Sequence, residues 1–412
     1  METAGNEFTS SAESPREKDD FKEKNKHYDP GPVVRETGIP GIRMDFNNGF
    51  RLSLPEKGNY HVRVTDQDYM VVLMDADVSE SFICLNKRYY INYLVELWKD
   101  GRKILMHHFS LAGKNVRIPF PVGGGLGDVL AWFPYAEEFR RKHGCNMYCI
   151  MPQIHSEILR PAYPDIIFLT PDQKVPDCYA SYYTGAYTDN SYLPIEHRQS
   201  GLSRSISYML GLGGREVRPV LTPCVERLIR EPYVCIAAQS TGQRKYWNNP
   251  RGWTETVDYL KSLGYRVLCI DRERSHTICG RENVMPPNAE DFTGDLPLQR
   301  RIDLLGHADF FIGLSSGLSW LAWGAGTPVV LISGFTFPSY EFYTPYRVIN
   351  PLVCNSCWND RNVEMNPPDG LYCPRHKGTD RMFECSRFIT PEQVIKTIDR
   401  LMADHGLPRR RV

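Results

Sequence analysis

The chain carries no excess of charge of either sign. Lysine and arginine together number 49, and so do aspartate and glutamate. A balanced chain exerts no long-range pull on nucleic acid or on an anionic membrane, although a local basic patch stays open. Long apolar runs are missing too. The longest, LSWLAWGAGTPVVLI, is broken by Gly and Pro and is too short to span a bilayer. Residues 1–30 hold no apolar stretch and no small-residue cleavage site, so they read as a solvated, disordered tail, not as an export signal. No repeat of short period stands out. These absences argue against membrane-spanning, exported and solenoid classes. They point to a cytoplasmic chain with no membrane insertion.

What is present is enough for more than one core: 412 residues, 42% of them hydrophobic and 12% aromatic. Residues 31–105 are rich in Tyr, Val and Ile. FRLSLP, YHVRVT, YMVVLMD and SFICLN read as strands, and YYINYLVELW reads as a helix start, giving a β-rich N-terminal subdomain. From Asn115 the pattern changes to strand–loop–helix. NVRIPFPV, NMYCIMP and DIIFLT are strands, and VLAWFPYAEEFRRKHG is a helix with a proline kink. Such alternation means βαβ units and a parallel sheet. This first Rossmann-like unit takes residues 106–225, with EVRPVLTP as linker. A second series, YVCIAAQS to TPVVLIS, fills residues 226–350. Its first helix is expected to open at Thr254. A cysteine segment occupies 351–389. A closing helix over 390–412 is capped by Thr390 with Pro391 in its first turn. The expected fold is therefore α/β, with two Rossmann-like domains facing each other across a cleft. Ligands in such sheets bind at the carboxyl ends of the strands.

Four of the twelve cysteines crowd into one short segment: Cys354, Cys357, Cys373 and Cys385, spaced C-x2-C-x15-C-x11-C. In a reducing compartment, clustered thiols favour a metal over disulfides. A C-x2-C turn aims two thiolates at one ion, and two more ligands close a tetrahedron. His376 offers a rival fourth ligand at C-x2-H spacing. Scattered buried thiols remain the plain alternative, since eight other cysteines are dispersed along the chain. A closed four-ligand set leaves no open position, so the ion would be structural. The opening C-x2-C and the x15 gap fit structural metal sites, but spacing does not separate iron from zinc.

VRIPFPVGGGLGDVLAW is a strand, a glycine turn and a helix start. Gly127 and its neighbours admit close approach of another molecule, and a helix N-terminus favours anions. Asp128 is either an N-cap or a general base facing the cleft. In the second unit, AAQSTGQRKYWNNP ends a strand with Arg244 and Lys245. Lys245 could hold a diphosphate there, or be a solvated loop cation. GLSSGLSW places Ser315, Ser316, Gly317 and Leu318 at another helix start, suited to phosphate or to plain capping. An anion site in one domain and an acid in the other is the layout of a GT-B nucleotide-sugar glycosyltransferase.

At these residues the chain resembles the lipopolysaccharide-core heptosyltransferases, through Gly127-Asp128-Val129-Leu130 and Lys245-Tyr246-Trp247. Their late Asp-Thr-Gly-Leu-Ser-His-Leu loop is Ser315-Ser316-Gly317-Leu318-Ser319-Trp320-Leu321 here. The chain is more similar to the bacterial autotransporter heptosyltransferases. It shares FPVGG-x-LGD-x-x-AWFPYAEEF, KYWNNP, GLSSGLSWLAW and the four-cysteine finger, over most of the chain from about Tyr90. That resemblance implies a cytoplasmic, inverting enzyme that moves heptose from ADP-heptose to serine hydroxyls of autotransporter adhesin passengers. It further implies Asp128 as base, donor contacts at Gly127, Lys245 and Ser315 to Leu318, structural iron on the four cysteines, and a homo-oligomeric dodecamer. Two other readings compete. One is a core-type enzyme acting on a lipid-linked sugar. The other is a metal ribbon whose Arg361, Arg375, Lys377, Arg381 and Arg387, with Trp358, Tyr372 and Phe383, bind nucleic acid.

Overall fold

The computed structural model describes residues 30–54, 58–79, 82–185, 189–365 and 369–408. The expected tail lies outside the described residues except for Pro30.

In the second half, helices carry the chain back to the same end of the sheet after Tyr233–Ile236, Glu290–Asp291 and Phe311–Leu314, while the hairpin Ser275–Ile278 with Arg281–Val284 and an irregular loop make the other two crossovers. The strands Tyr233–Ile236, Arg266–Cys269, Glu290–Asp291, Phe311–Leu314, Val329–Ile332 and Arg347–Val348 therefore all pair in parallel. In space the third strand is at one edge, followed by the second, first, fourth, fifth and sixth. The order reverses between Tyr233–Ile236 and Phe311–Leu314. At that reversal the connections leave the sheet in opposite directions and open a crevice at the strands' carboxyl ends.

Side-chain alternation sorts this sheet's two faces. Val234 and Ile236 pack with Val257 and Leu260 of helix Gly252–Ser262, and with Val394 and Ile398 of helix Pro391–Asp404. Cys235 faces the other way, toward Ile302 and Leu305 of helix Leu298–His307 and Leu321 of helix Gly317–Gly324. The closing helix is capped as expected: the Thr390 hydroxyl accepts from Gln393 N, and Pro391 lies in the first turn. The helix expected to open at Thr254 instead starts at Gly252.

The first half builds a seven-stranded sheet. Ile167–Leu169, Asn146–Ile150, Asn115–Pro119 and Ala180–Ser181 lie in that order and pair in parallel. Arg43–Asn47 joins parallel to Ala180–Ser181, and Arg51–Ser53 and Phe82–Cys84 follow antiparallel. The β-rich segment thus divides. Three of its strands extend this sheet, and four form an antiparallel sheet of their own: Val71–Val78, Tyr60–Asp66, Tyr93–Lys99 and Arg102–His108, in that order. The helix expected at YYINYLVELW is corrected here. Tyr93, Val95 and Leu97 are buried with half-exposed residues between them, a period of two that sets Val95 opposite Val64 and Leu97 opposite Val62.

Helix Leu126–His143 starts at the order reversal of the first sheet, and helix Gly317–Gly324 at that of the second. The two pack together, and one hydrophobic core runs through both halves. Their first turns touch through glycine. A Cβ on Gly317 would lie 2.9 Å from Leu126 Cβ and 3.2 Å from Gly127 N, and one on Gly127 would lie 3.0 Å from Trp320 Cδ1. Gly317→Ala must push two backbones apart. Overpacking of this kind costs about 1–3 kcal/mol, or a Tm drop of about 2–10 °C by calorimetry. An unchanged Tm would show that the contact yields freely.

Candidate active site

Between the two helix starts lies a cleft of about 960 Å³. Asp128 enters it from the first half. The residue is not the N-cap: Gly125 holds that place, and Asp128 is the third helical residue. Its carboxylate accepts from Gly125 N at 3.1 Å, which satisfies one of the amides exposed at the helix start. Burial raises its pKa above the ordinary 3.8, while the nearby Lys245 and the Gly125 amide pull it back.

Lys245 enters from the second half, at the end of the turn Gln243–Lys245. Burial lowers its pKa below 10.5. Asp128 and Glu341 oppose that fall, and Arg244 adds to it. An acid and a cation thus face each other, each drawn toward its neutral form.

The anion side of the cleft lies at the second helix start. The amides of Gly317 and Leu318 have no acceptor within the helix. The Ser316 hydroxyl is buried without a partner, and so is that of Ser240 in the facing loop; both residues line the cleft. Ser315 is differently engaged. Its hydroxyl donates to the Glu341 carboxylate, which also accepts from Thr336 Oγ1 at 2.7 Å and pairs with Arg347 at 2.7 Å. Glu341 is 4% exposed, so this pair fixes the loop from inside. Asp271 braces the opposite wall. It accepts from Ala238 N at 2.8 Å and Gln239 N at 3.2 Å, and burial pushes its pKa up to about 6.

The cysteine segment forms the rim. Its attachment explains the KYWNNP motif. The Trp247 indole donates to Ile389 O at 2.9 Å, Asn248 to Ser386 Oγ at 2.8 Å, and Asn249 to Arg387 O at 3.0 Å. Gln243 N donates to Gly370 O at 2.8 Å. A Cβ on Gly334 would meet Cys385 O at 2.3 Å, so the segment lies directly on the second sheet's edge loop. From the first half, the Arg198 guanidinium donates to the carbonyls of Cys357, Trp358, Asp360 and Val363 at 2.5–3.0 Å.

All twelve cysteines are free thiols. Burial pushes Cys357 up to about 12, with Cys354 adding to the rise, and pushes Cys385 well up, with Cys357, Cys373 and Cys354 adding. The four thiols therefore lie within one another's field. Phe383 N points at Cys373 Sγ, 3.5 Å away. Among the described residues, the ligand atoms that lie within 4.8 Å of one another are those of Cys354, His376 and Glu384, not those of the four cysteines together, and Glu384 is engaged by Arg381 at 2.7 Å and by Cys354 N at 3.0 Å. The segment's basic side chains are largely neutralised locally. Arg361 pairs with Glu196, Arg375 with Asp360, Lys377 with Asp369 and Arg381 with Glu384. This leaves little for a nucleic-acid backbone to meet.

The structure gathers Asp128, Lys245, Ser315, Ser316, Gly317, Leu318 and Gly127 at one cleft. Sequence reasoning missed Glu341, Ser240 and Arg198. Only an acid and a base six residues apart in EFYTPYR hinted at the first.

Comparison with known proteins agrees with this geometry. The family model "Glycosyltransferase TibC, N-terminal domain" matches residues 38–101, and "Glycosyltransferase family 9 (heptosyltransferase)" matches residues 213–372. The autotransporter heptosyltransferase BAHTCr of Citrobacter rodentium is 48% identical over 379 residues, covering 91% of this chain and 92% of that one. The chain belongs to the autotransporter heptosyltransferases. Two crystal structures of TibC from enterotoxigenic Escherichia coli H10407 each superpose with a TM-score of 0.86 at 46% identity, covering 91% of this chain and 99% of theirs. TibC is described there as an iron-containing dodecamer, in one case in complex with ADP-D-beta-D-heptose. BimC of Burkholderia thailandensis, 40% identical over 90% of this chain and 88% of its own, is named an inactive autotransporter heptosyltransferase.

Arg198→Ala removes the donor shared by four carbonyls of the cysteine segment. Hydrogen bonds from a charged group contribute about 1.5–3 kcal/mol. Amide exchange over residues 353–363 is expected to quicken at least about tenfold, with the sheet over 233–332 unaffected. Unchanged protection would show that Arg198 does not hold the segment.

Proposed function

We propose that this protein transfers heptose from ADP-heptose to serine hydroxyls of an autotransporter adhesin passenger, with inversion at the anomeric carbon. The observation that carries the reading is the Asp128–Lys245 pair across the cleft. Family membership alone does not decide activity, because BimC shares the family and is named inactive.

In this mechanism Asp128 takes the proton from the acceptor serine as its oxygen attacks the anomeric carbon. The bond from that carbon to the diphosphate oxygen breaks, and ADP leaves. Lys245, the Gly317 and Leu318 amides and the Ser316 hydroxyl offset the charge growing on the diphosphate. The Gly125 amide leaves the second Asp128 oxygen free for the proton. Gly127 keeps the acid's helix close to the donor half. The Ser315 side chain serves through Glu341, as a support for the loop.

Cys354, Cys357, Cys373 and Cys385 would hold one iron ion. The fit rests on the donor chemistry of four free thiols in one segment, soft ligands for iron once deprotonated, and on the Phe383 amide aimed at Cys373. Bound there, the ion supplies a structural cross-link for a segment short of apolar side chains. In this reading the protein works in the cytoplasm as a homo-oligomer, a dodecamer like TibC.

Asp128→Asn should cut kcat about 10²–10⁴-fold while ADP-heptose binding by calorimetry stays within about twofold. Turnover close to that of the unaltered protein, measured as ADP release, would remove Asp128 as base. The pH profile gives a second test. Asp128 acts ionised and its pKa is raised, so kcat/KM should fall as pH drops through a value above 3.8. Lys245 acts charged and its pKa is lowered, so the alkaline limb should lie below 10.5. Lys245→Met removes the cation that draws Asp128 down and should move the acid limb to higher pH. An unmoved limb would mean that the two groups do not feel each other.

A further inference from the structure

Arg244 precedes Lys245 in the same turn and lines the same cleft. No carboxylate pairs with it among the described ion pairs. Its Nη1 donates to the Asp369 carbonyl at 3.3 Å, and its Nε is buried without a partner. The guanidinium lies over the Phe335 ring, 5.4 Å from its centroid. Burial disfavours the charge on this half-buried guanidinium, the Asp369 carboxylate that offsets this in part is itself paired with Lys377 at 2.5 Å, and the neighbouring Lys245 cation repels it further. Two adjacent cations call for two negative charges, yet Asp128 belongs to the first half and Glu341 is already committed to Arg347.

We propose that Arg244 is a second donor-binding residue, its guanidinium forking onto the diphosphate beside Lys245 so that two cations meet a dianion. A planar fork suits phosphate oxygens better than a point charge does. The finger aims it: Asp369 O and Gly370 O fasten Arg244 and Gln243 to the segment, so the metal-bearing region sets the geometry of the donor site from behind. The inference deepens the reading of an ADP-sugar site and rests on it.

The test compares ADP with AMP by calorimetric titration in the full-length, metal-loaded protein and in Arg244→Ala and Arg244→Lys. Loss of a charge-assisted phosphate contact should weaken ADP about ten- to a hundredfold in Arg244→Ala, with AMP nearly unchanged. Arg244→Lys should recover only part of the loss. Equal weakening of ADP and AMP would mean that Arg244 merely supports the loop, and no weakening of either would place it outside the site; both outcomes overturn the inference. If the unaltered protein binds ADP-heptose but transfers nothing, the transferase reading fails while the Arg244 assignment stands. If it binds neither nucleotide, both fail.

Discussion

The two halves of the molecule meet where two glycines let their backbones touch. Gly317 lies against Leu126 and Gly127 so closely that a single Cβ would not fit. Each glycine opens the helix that leaves its sheet at the order reversal. The contact therefore brings both ligand-binding ends face to face, and the cleft is what remains between them. Asp128 directly follows Gly127 at that contact, and Lys245 reaches the same cleft from the turn Gln243–Lys245 of the second half. Other residues support it from outside: Glu341 with Arg347 beneath the Ser315 loop, and Asp271 beneath the Ala238 loop.

The cysteine segment is the second constraint. It is fastened to the KYWNNP turn, to the edge loop at Gly334 and, through Arg198, to the first half. A segment that touches all three cannot move without moving the cleft wall. An ion bound in the segment would act on the cleft through these attachments and not through a reacting atom. Thiolates that repel one another are held together only while a cation sits among them. The ion would thus stabilise the turn that carries Arg244 and Lys245.

Much of this was legible in the sequence, for identifiable reasons. Strands buried on both faces, such as YVCI, FIGL and VVLI, read as apolar runs whatever their neighbours, so the parallel sheet of the second half was visible. The glycine loops and the Lys-Tyr-Trp turn were visible because each ends a strand and opens a helix or turn. Strands with polar or minimal sequences were not. Ala180–Ser181 is two residues long, and the hairpin Ser275–Ile278 with Arg281–Val284 is largely exposed. YLVELW was misjudged because one buried face at period two looks like a helix turn when its partner strands are unknown. Arg198 was invisible for another reason. Its partners lie about 160 residues away, and only the fold makes a loop arginine into a clamp.

The central claim is that this cleft joins a heptose to a serine. Mass spectrometry of an autotransporter passenger, after incubation with the purified metal-loaded protein and ADP-heptose, addresses it most directly. The account predicts added heptose units mapping to serines, with ADP released in equal number. A passenger of unchanged mass, with ADP-heptose bound to the protein and intact, would contradict it.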